Sequence, residues 1–398
     1  MMSNIYSASN GRAQRILLWH WGKEGAGAKF TMALGSALAN NNRDIHISAA
    51  RESDLANKLR NQDTLPSTSV AIFNGDKSKL SGKLSAAMAL FKLPFIGSDF
   101  KSIRDSFQPD LQLCSFQSIW DLAALPVLKS GKQPYILCLH DAVPHPGDDY
   151  PFRSTALKMQ IEATDGLIVL SDHVADAANK YYHYPKERIF KIPHGRFDFS
   201  NQEIKPRAFP SDRPFHLLFL GRITKYKGLS ELLDAYELLP STSCPLKLTI
   251  AGSGDLGSLR ARIDQHANIT LIHEWLSDET ISHCLQEADA IILPYQEASQ
   301  SGIAATAFAA GLPVIATPVG GLTEQIKHRH TGLIAQSMSA SSLAHSIREL
   351  STCDTLYENL SRGALHHAAT ALNWNNIGAT LGEALDRLIR LPRRRNAT

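Results

Sequence analysis

The chain has 398 residues, 43% of them apolar and 20% charged, with a net charge of +3. That length allows two or three domains with their own cores, and so small a charge gives no argument for nucleic acid. Five scattered cysteines (Cys114, Cys138, Cys244, Cys284 and Cys353), odd in number and without a CxxC pair, argue against a disulfide framework and a structural zinc site.

The N-terminal "MMSNIYSASNGRAQR" is polar and lacks the apolar centre of a signal peptide, and no apolar run is long enough to span a bilayer. The expectation is a cytoplasmic protein, at most peripheral on the inner face of the plasma membrane. Strands are expected at 15–19, 44–48, 69–73, 111–116, 135–140 and 166–171, each followed by a helical pattern. A polar, proline-rich stretch at 201–214 interrupts this alternation. It restarts with strands at 215–221, 246–252, 269–273, 290–295 and 313–317. Near-continuous apolar strands between helices indicate parallel sheets covered on both faces. The pattern therefore predicts two doubly wound α/β domains, the first over 1–205 and the second over 206–372, with no visible sequence repeat between them.

Ligands in such sheets sit beyond the carboxyl ends of the strands, so residues there are the first candidates for a site. After the first strand, "GKEGAG" supplies Gly22, Gly25 and Gly27, either for close approach of a ligand or for tight turn geometry alone. The strand 135–140 ends in His140, positioned to act as acid, base or hydrogen-bond donor, although most isolated histidines are structural. The following loop carries His145, Asp148 and Asp149, whose spacing is not that of a metal site. In the second half, Arg222, Lys225 and Lys227 follow Gly221, a cationic loop that is either solvated or facing an anion. The run Gln300-Ser301-Gly302 opens a helix expected over 303–310, where Ser301 can cap and the free N–H groups attract a phosphate. Cations on one side and a helix start on the other can hold a diphosphate.

With these residues in view, "LGRITKYKGLSELLDAY", "AGSGD", "ADAIILPYQEASQSG" and "AAGLPVIATPVGGLTE" resemble the donor-site signatures of retaining family 4 glycosyltransferases. "LLWHWGKEGAGAKFTMALGSAL", "LHDAVPHPGD", "IPHGRF" and Trp374 resemble the family's N-terminal half and the opening of its last helix, more faintly between residues 50 and 110. The resemblance implies a GT-B fold, two Rossmann-like domains facing across a cleft, with the last helix (about 373–398) returning to the first domain. It implies that Arg222 and Lys227 neutralise the donor diphosphate, that His140 lies near the transferred sugar, and that these three are catalytic. The resemblance also implies that Gly25 and Gly27 lie near the phosphate and acceptor, that Gly221, Gly252, Glu297, Gln300, Ser301, Gly302 and Ile303 belong to the donor site, and that His273, Trp275 and Leu276 flank the nucleobase.

One departure concerns the family's two glutamates, separated by seven residues. Counting from Glu297 reaches Ala305, and counting back from Gly311 reaches Thr306, so the second glutamate is absent and Glu297 stands one residue out of register. No Asp-x-Asp occurs, so no metal or other cofactor is expected, and front-face retention is the mechanism the resemblance implies. The expected partners are a nucleotide-sugar donor and a glycan or lipid-linked glycan acceptor, with a glycosyltransferase of polysaccharide or glycoconjugate biosynthesis as the outcome. A GT-B epimerase and a catalytically inactive GT-B binding module stand as alternatives. The segment 82–104, with Lys83, Lys92, Lys101 and Arg104, reads as a buried helix with solvated basic ends, or as an interfacial helix meeting lipid. The basic tail "RLIRLPRRR" reads as solvated or lipid-touching.

Overall fold

The computed structural model describes residues 12–62, 65–72, 82–145, 153–200, 203–239 and 245–394. The first sheet holds β1 (Gln14–His20), β2 (Arg43–Ala50), β3 (Ser67–Val70), β4 (Leu111–Cys114), β5 (Tyr135–Leu139), β6 (Gly166–Val169) and β7 (Ile189–Lys191). The second holds β8 (Phe215–Leu220), β9 (Leu246–Ala251), β10 (Ile269–Ile272), β11 (Ala290–Leu293), β12 (Val314–Ala316) and β13 (Gly332–Ile334). Every pairing is parallel, in the orders β3-β2-β1-β4-β5-β6-β7 and β10-β9-β8-β11-β12-β13. Both sheets run outward from their first strand, the Rossmann-like arrangement. A crevice opens where the order reverses, between β1 and β4 and between β8 and β11.

The sequence pattern follows from burial. Ile16, Leu17, Leu18 and Trp19 are consecutive in β1 and all have no exposed surface, so alternating polarity is impossible there. Edge strands carry a weaker signal. In β3 only Val70 is buried, and the strand stops there rather than at 73. β7 and β13, three residues each, were not foreseen, because three residues cannot establish a pattern.

The last helix, Trp374–Arg390, leaves the second domain and packs on the first. Its Ile377, Leu381, Leu385 and Leu388 join Ile16, Leu18 and Phe30 in one core, each contributing roughly 1.5–3 kcal/mol of burial. Beyond it, the expectation of a solvated or lipid-touching tail fails for two arginines. Arg393 pairs with buried Asp165 at 2.8 Å, and Arg394 donates to the Ile161 carbonyl at 3.0 Å. The interdomain linker is anchored similarly: Arg207 donates to the carbonyls of Leu285 and Gln286, each at 2.9 Å, near the end of helix Asp278–Glu287.

The domains touch at several points. Ser171 Oγ donates to the Ser299 carbonyl at 2.7 Å. Glu324 accepts from the N–H groups of Asp172 and His173 at 2.7 and 2.8 Å, placing its charge at the N-terminus of helix Asp172–Tyr182. Lys29 meets Asp278 at 2.6 Å.

Candidate functional site

The second-domain face begins at the end of β8. Gly221 there has φ +117, and the neighbouring Gly252 has φ +154 with room for no side chain, since a Cβ would lie 1.8 Å from the Gly221 carbonyl oxygen. These turns bring the backbones after β8 and β9 together and free the next loop to project. Arg222 is exposed on that loop. Lys227 is half-buried, its ammonium 3.7 Å from the centre of the Tyr295 ring. Burial alone would lower its pKa, but Tyr295 and Tyr226 outweigh it and the group stands above its usual value, a cation at neutral pH.

Helix Gly302–Ala309 starts one residue earlier than expected, with Ser301 at the N-cap position. Ser301 does not cap it. Its hydroxyl is buried without a hydrogen-bond partner, as is the side-chain oxygen of Gln300. The Ser301 N–H donates instead to Gln325 Oε1 at 2.7 Å, a residue the sequence reading missed. Ile303 lies beside Gly221, 3.8 Å from where a Cβ there would stand. A recess of about 660 Å³ takes in Arg222, Thr224, Glu231, Gly254, Ser258 and Gln296, but not Lys227, Ser301 or Gly302. At the end of β10, His273 Nε2 bonds the Gly254 carbonyl at 2.7 Å, Leu276 packs on the core, and Trp275 is 61% exposed.

The first-domain face is built from buried imidazoles. His140 donates from Nε2 to the Ser115 carbonyl at 2.9 Å and lies between Phe30 and Phe116, with ring centres at 4.7 and 4.1 Å. Burial pushes its pKa down to about 4, so it is neutral at pH 7. Its one N–H is already used and its buried Nδ1 has no partner, which leaves an acceptor rather than the acid or donor that the sequence also allowed. His194, at the end of β7, is likewise pushed by burial to about 4. Its ring stands 3.2 Å from where a Cβ on Gly302 would be, so it faces the helix start across the cleft. His20 fills the glycine turn: a side chain on Gly22 or Gly27 would strike its ring at 2.4 or 2.5 Å. Gly25, with φ +104, sits at the N-cap of helix Ala26–Asn40, and a Cβ there would have no atom within 4 Å.

Between the two faces, His145 reaches Asp141 at 3.2 Å and Glu297 at 3.5 Å. These groups lie on opposite ring nitrogens and do not converge on one point, and among the described residues no cluster suits a metal ion. Asp148 and Asp149 lie outside the described residues, as does the side chain of Lys83. In helix Gly82–Phe107, Ile96 and Phe100 are buried while Phe95 is 73% exposed. Lys101 and Arg104 both pair with Asp105, at 2.8 and 2.7 Å. Among the described residues, no helix is long and apolar enough to cross a membrane.

Residues 200–367 match the family described as Glycosyl transferases group 1. A D-inositol 3-phosphate glycosyltransferase of Arthrobacter sp. (strain FB24) is 29% identical over 221 residues, 49% of this chain and 52% of that protein. The matched stretch thus spans about half the length of that relative. Sucrose-phosphate synthase of Thermosynechococcus elongatus superposes with a TM-score of 0.72 at 18% identity, over 94% of this chain and 99% of that one. HepE of Anabaena, solved in complex with UDP and glucose, gives 0.71 at 15% identity, over 94% and 99%. The chain has the GT-B fold, and the part of it that matches the glycosyl transferases group 1 family is residues 200–367.

Proposed function

We propose that the protein is a retaining glycosyltransferase that moves a sugar from a nucleotide-diphosphate sugar to a glycan or lipid-linked glycan. The observation that carries this reading is the start of helix Gly302–Ala309, where the buried Ser301 hydroxyl has no protein partner. An unpartnered buried hydroxyl at a helix N-terminus can donate to an incoming anion, beside the free N–H groups of the first turn. Arg222 and Lys227, on the loop after β8, supply the opposing charge. Together they would stabilise the leaving diphosphate as charge develops on it, without a metal. The UDP and glucose bound by HepE support a nucleotide-sugar donor.

The sugar would lie toward the first-domain face, where neutral His140 offers an acceptor through Nδ1. Retention at the front face leaves the departing phosphate to take the acceptor's proton, so no protein nucleophile is required. Exposed Phe95 gives the acceptor side an apolar point for a lipid-linked glycan, and the buried free thiols Cys114 and Cys138 favour a reducing, cytoplasmic setting.

The test is a thermal-shift panel of UDP-, GDP- and ADP-sugars, followed by transfer assays on Arg222→Ala and Lys227→Ala. Each substitution is expected to lower turnover ~100-fold or more with the melting temperature little changed. Near-wild-type transfer in both variants would place the diphosphate elsewhere. Donor turnover without an acceptor would indicate an epimerase, and donor binding without turnover an inactive binding module. EDTA is expected to leave the rate unchanged.

A further inference from the structure

His145 stands at the seam between the domains, outside the proposed diphosphate site. Its Nε2 lies 3.2 Å from Asp141 Oδ1, on its own loop, and 3.3 Å from Ser299 Oγ. Its Nδ1 lies 3.5 Å from Glu297 Oε2, on the second-domain loop after β11. The ring rests flat on Tyr226, with centroids 4.7 Å apart and planes at 16°.

A neutral imidazole carries one N–H and can serve only one of two carboxylates placed on opposite nitrogens. Serving both requires the imidazolium, and the face of Tyr226 beneath it favours a cation. A like charge stands on the same ring, since the Lys227 ammonium lies 5.1 Å from the centre of Tyr226. Burial is the largest single influence and lowers the His145 pKa. Asp141 and then Glu297 outweigh it, so the net shift is upward.

We propose that doubly protonated His145 is a positioning residue that clamps Glu297 across the cleft, so that the free oxygen of that carboxylate is held toward the donor sugar. The Glu297 side chain is 55% exposed, and among the described residues its Oε1 has no hydrogen-bond partner. The clamp also ties domain closure to the site, because it joins a loop of each domain. It absorbs the one-residue displacement of Glu297: a glutamate that no longer fits the family's spacing is fixed by a histidine from the other domain. The orienting role rests on the glycosyltransferase reading, whereas the protonated clamp does not.

The experiment is a carbon-13 histidine NMR titration of the full chain, with the His145 signal assigned from His145→Gln and repeated in Glu297→Gln. A wild-type His145 pKa above the free value of about 6.5, falling in Glu297→Gln, is the expected result. In transfer assays with the donor found by thermal shift, His145→Gln should lower kcat about tenfold while nucleoside diphosphate affinity is kept. Wild-type kcat should fall as pH rises through the measured His145 pKa, and Glu297→Gln should lack that limb. A His145 pKa at or below the free value, or one insensitive to Glu297→Gln, overturns the clamp whether or not any donor turns over. A raised, Glu297-dependent pKa with no transfer from any nucleotide sugar upholds the clamp and sinks the functional reading. Unchanged kcat in a folded His145→Gln overturns the orienting role.

Discussion

Where β8 and β11 end, the second domain presents Arg222, Lys227 and the start of helix Gly302–Ala309, all of positive character. Where β1, β5 and β7 end, the first domain presents His20, His140 and His194, all lowered in pKa by burial. The same architecture has therefore produced one face set with cations and another lined by neutral imidazoles. On the proposed reading the division is chemical. The leaving group needs cations, whereas the sugar needs hydrogen-bonding groups that do not compete for the diphosphate. Cations can stay on a solvated loop, while neutral imidazoles must be buried to remain neutral at physiological pH.

The contrast can be broken most severely on the charged side. Gly252→Ala puts a Cβ on the Gly221 carbonyl at φ +154 and should displace the turn from which Arg222 projects. Strain there costs about 1–3 kcal/mol before any clash is counted. The expectation is a clearly lower melting temperature together with loss of transfer. Gly302→Val sharpens the contrast, because its side chain would press on His194 from within 3.3 Å and push the two faces apart. Donor affinity should drop at least about tenfold by calorimetry if backbone N–H groups hold the phosphate. An unchanged affinity in a folded variant would reduce the helix start to a cap.

The neutral imidazoles should show themselves in acid. His140 and His194 have folded pKa values of about 4, below the free value of 6.5, so between those limits the unfolded chain binds more protons. Stability is full above about pH 6.5 and is lost as pH falls toward 4, by at most about 1.4 kcal/mol per pH unit for each histidine. His367 of the second domain, also lowered by burial to about 4, adds to that slope. Urea titrations of His140→Asn across this range should show a shallower fall than wild type, and an identical slope would mean His140 is charged when folded. The smallest effect belongs to Ser301→Ala. With no capping bond to lose, stability should change by less than about 0.5 kcal/mol while donor affinity weakens slightly.

What could be read from the chain was whatever neighbours in sequence decide. The runs forming β1 and β8 announce themselves because both faces of each strand are covered, and the glycines after β8 and β9 stand where the turns need them. Contacts between remote segments were not legible. Ser301 has the right residue type for a cap, yet Gln325 takes its backbone N–H from 24 positions away. Glu297 looked misplaced by spacing alone, because its partner His145 lies 152 residues earlier. His194 sat in a quoted motif without a role until the fold set it opposite Gly302. The basic tail looked solvated because Asp165, its partner, is hidden beneath it.

The return of helix Trp374–Arg390 to the first domain bears on how the protein is made. Ile377, Leu381, Leu385 and Leu388 complete a core that also includes Ile16 and Phe30, from the first tenth of the chain. Synthesis runs from the N-terminus, and domains ordinarily fold as they emerge. Here the first domain has to wait on the ribosome with an apolar groove open beside helix Ala26–Asn40 until the second has been translated. The nascent chain is thus exposed to aggregation and chaperone capture until that helix appears, and a chain cut short before Trp374 would carry a second domain tethered to an unfinished first.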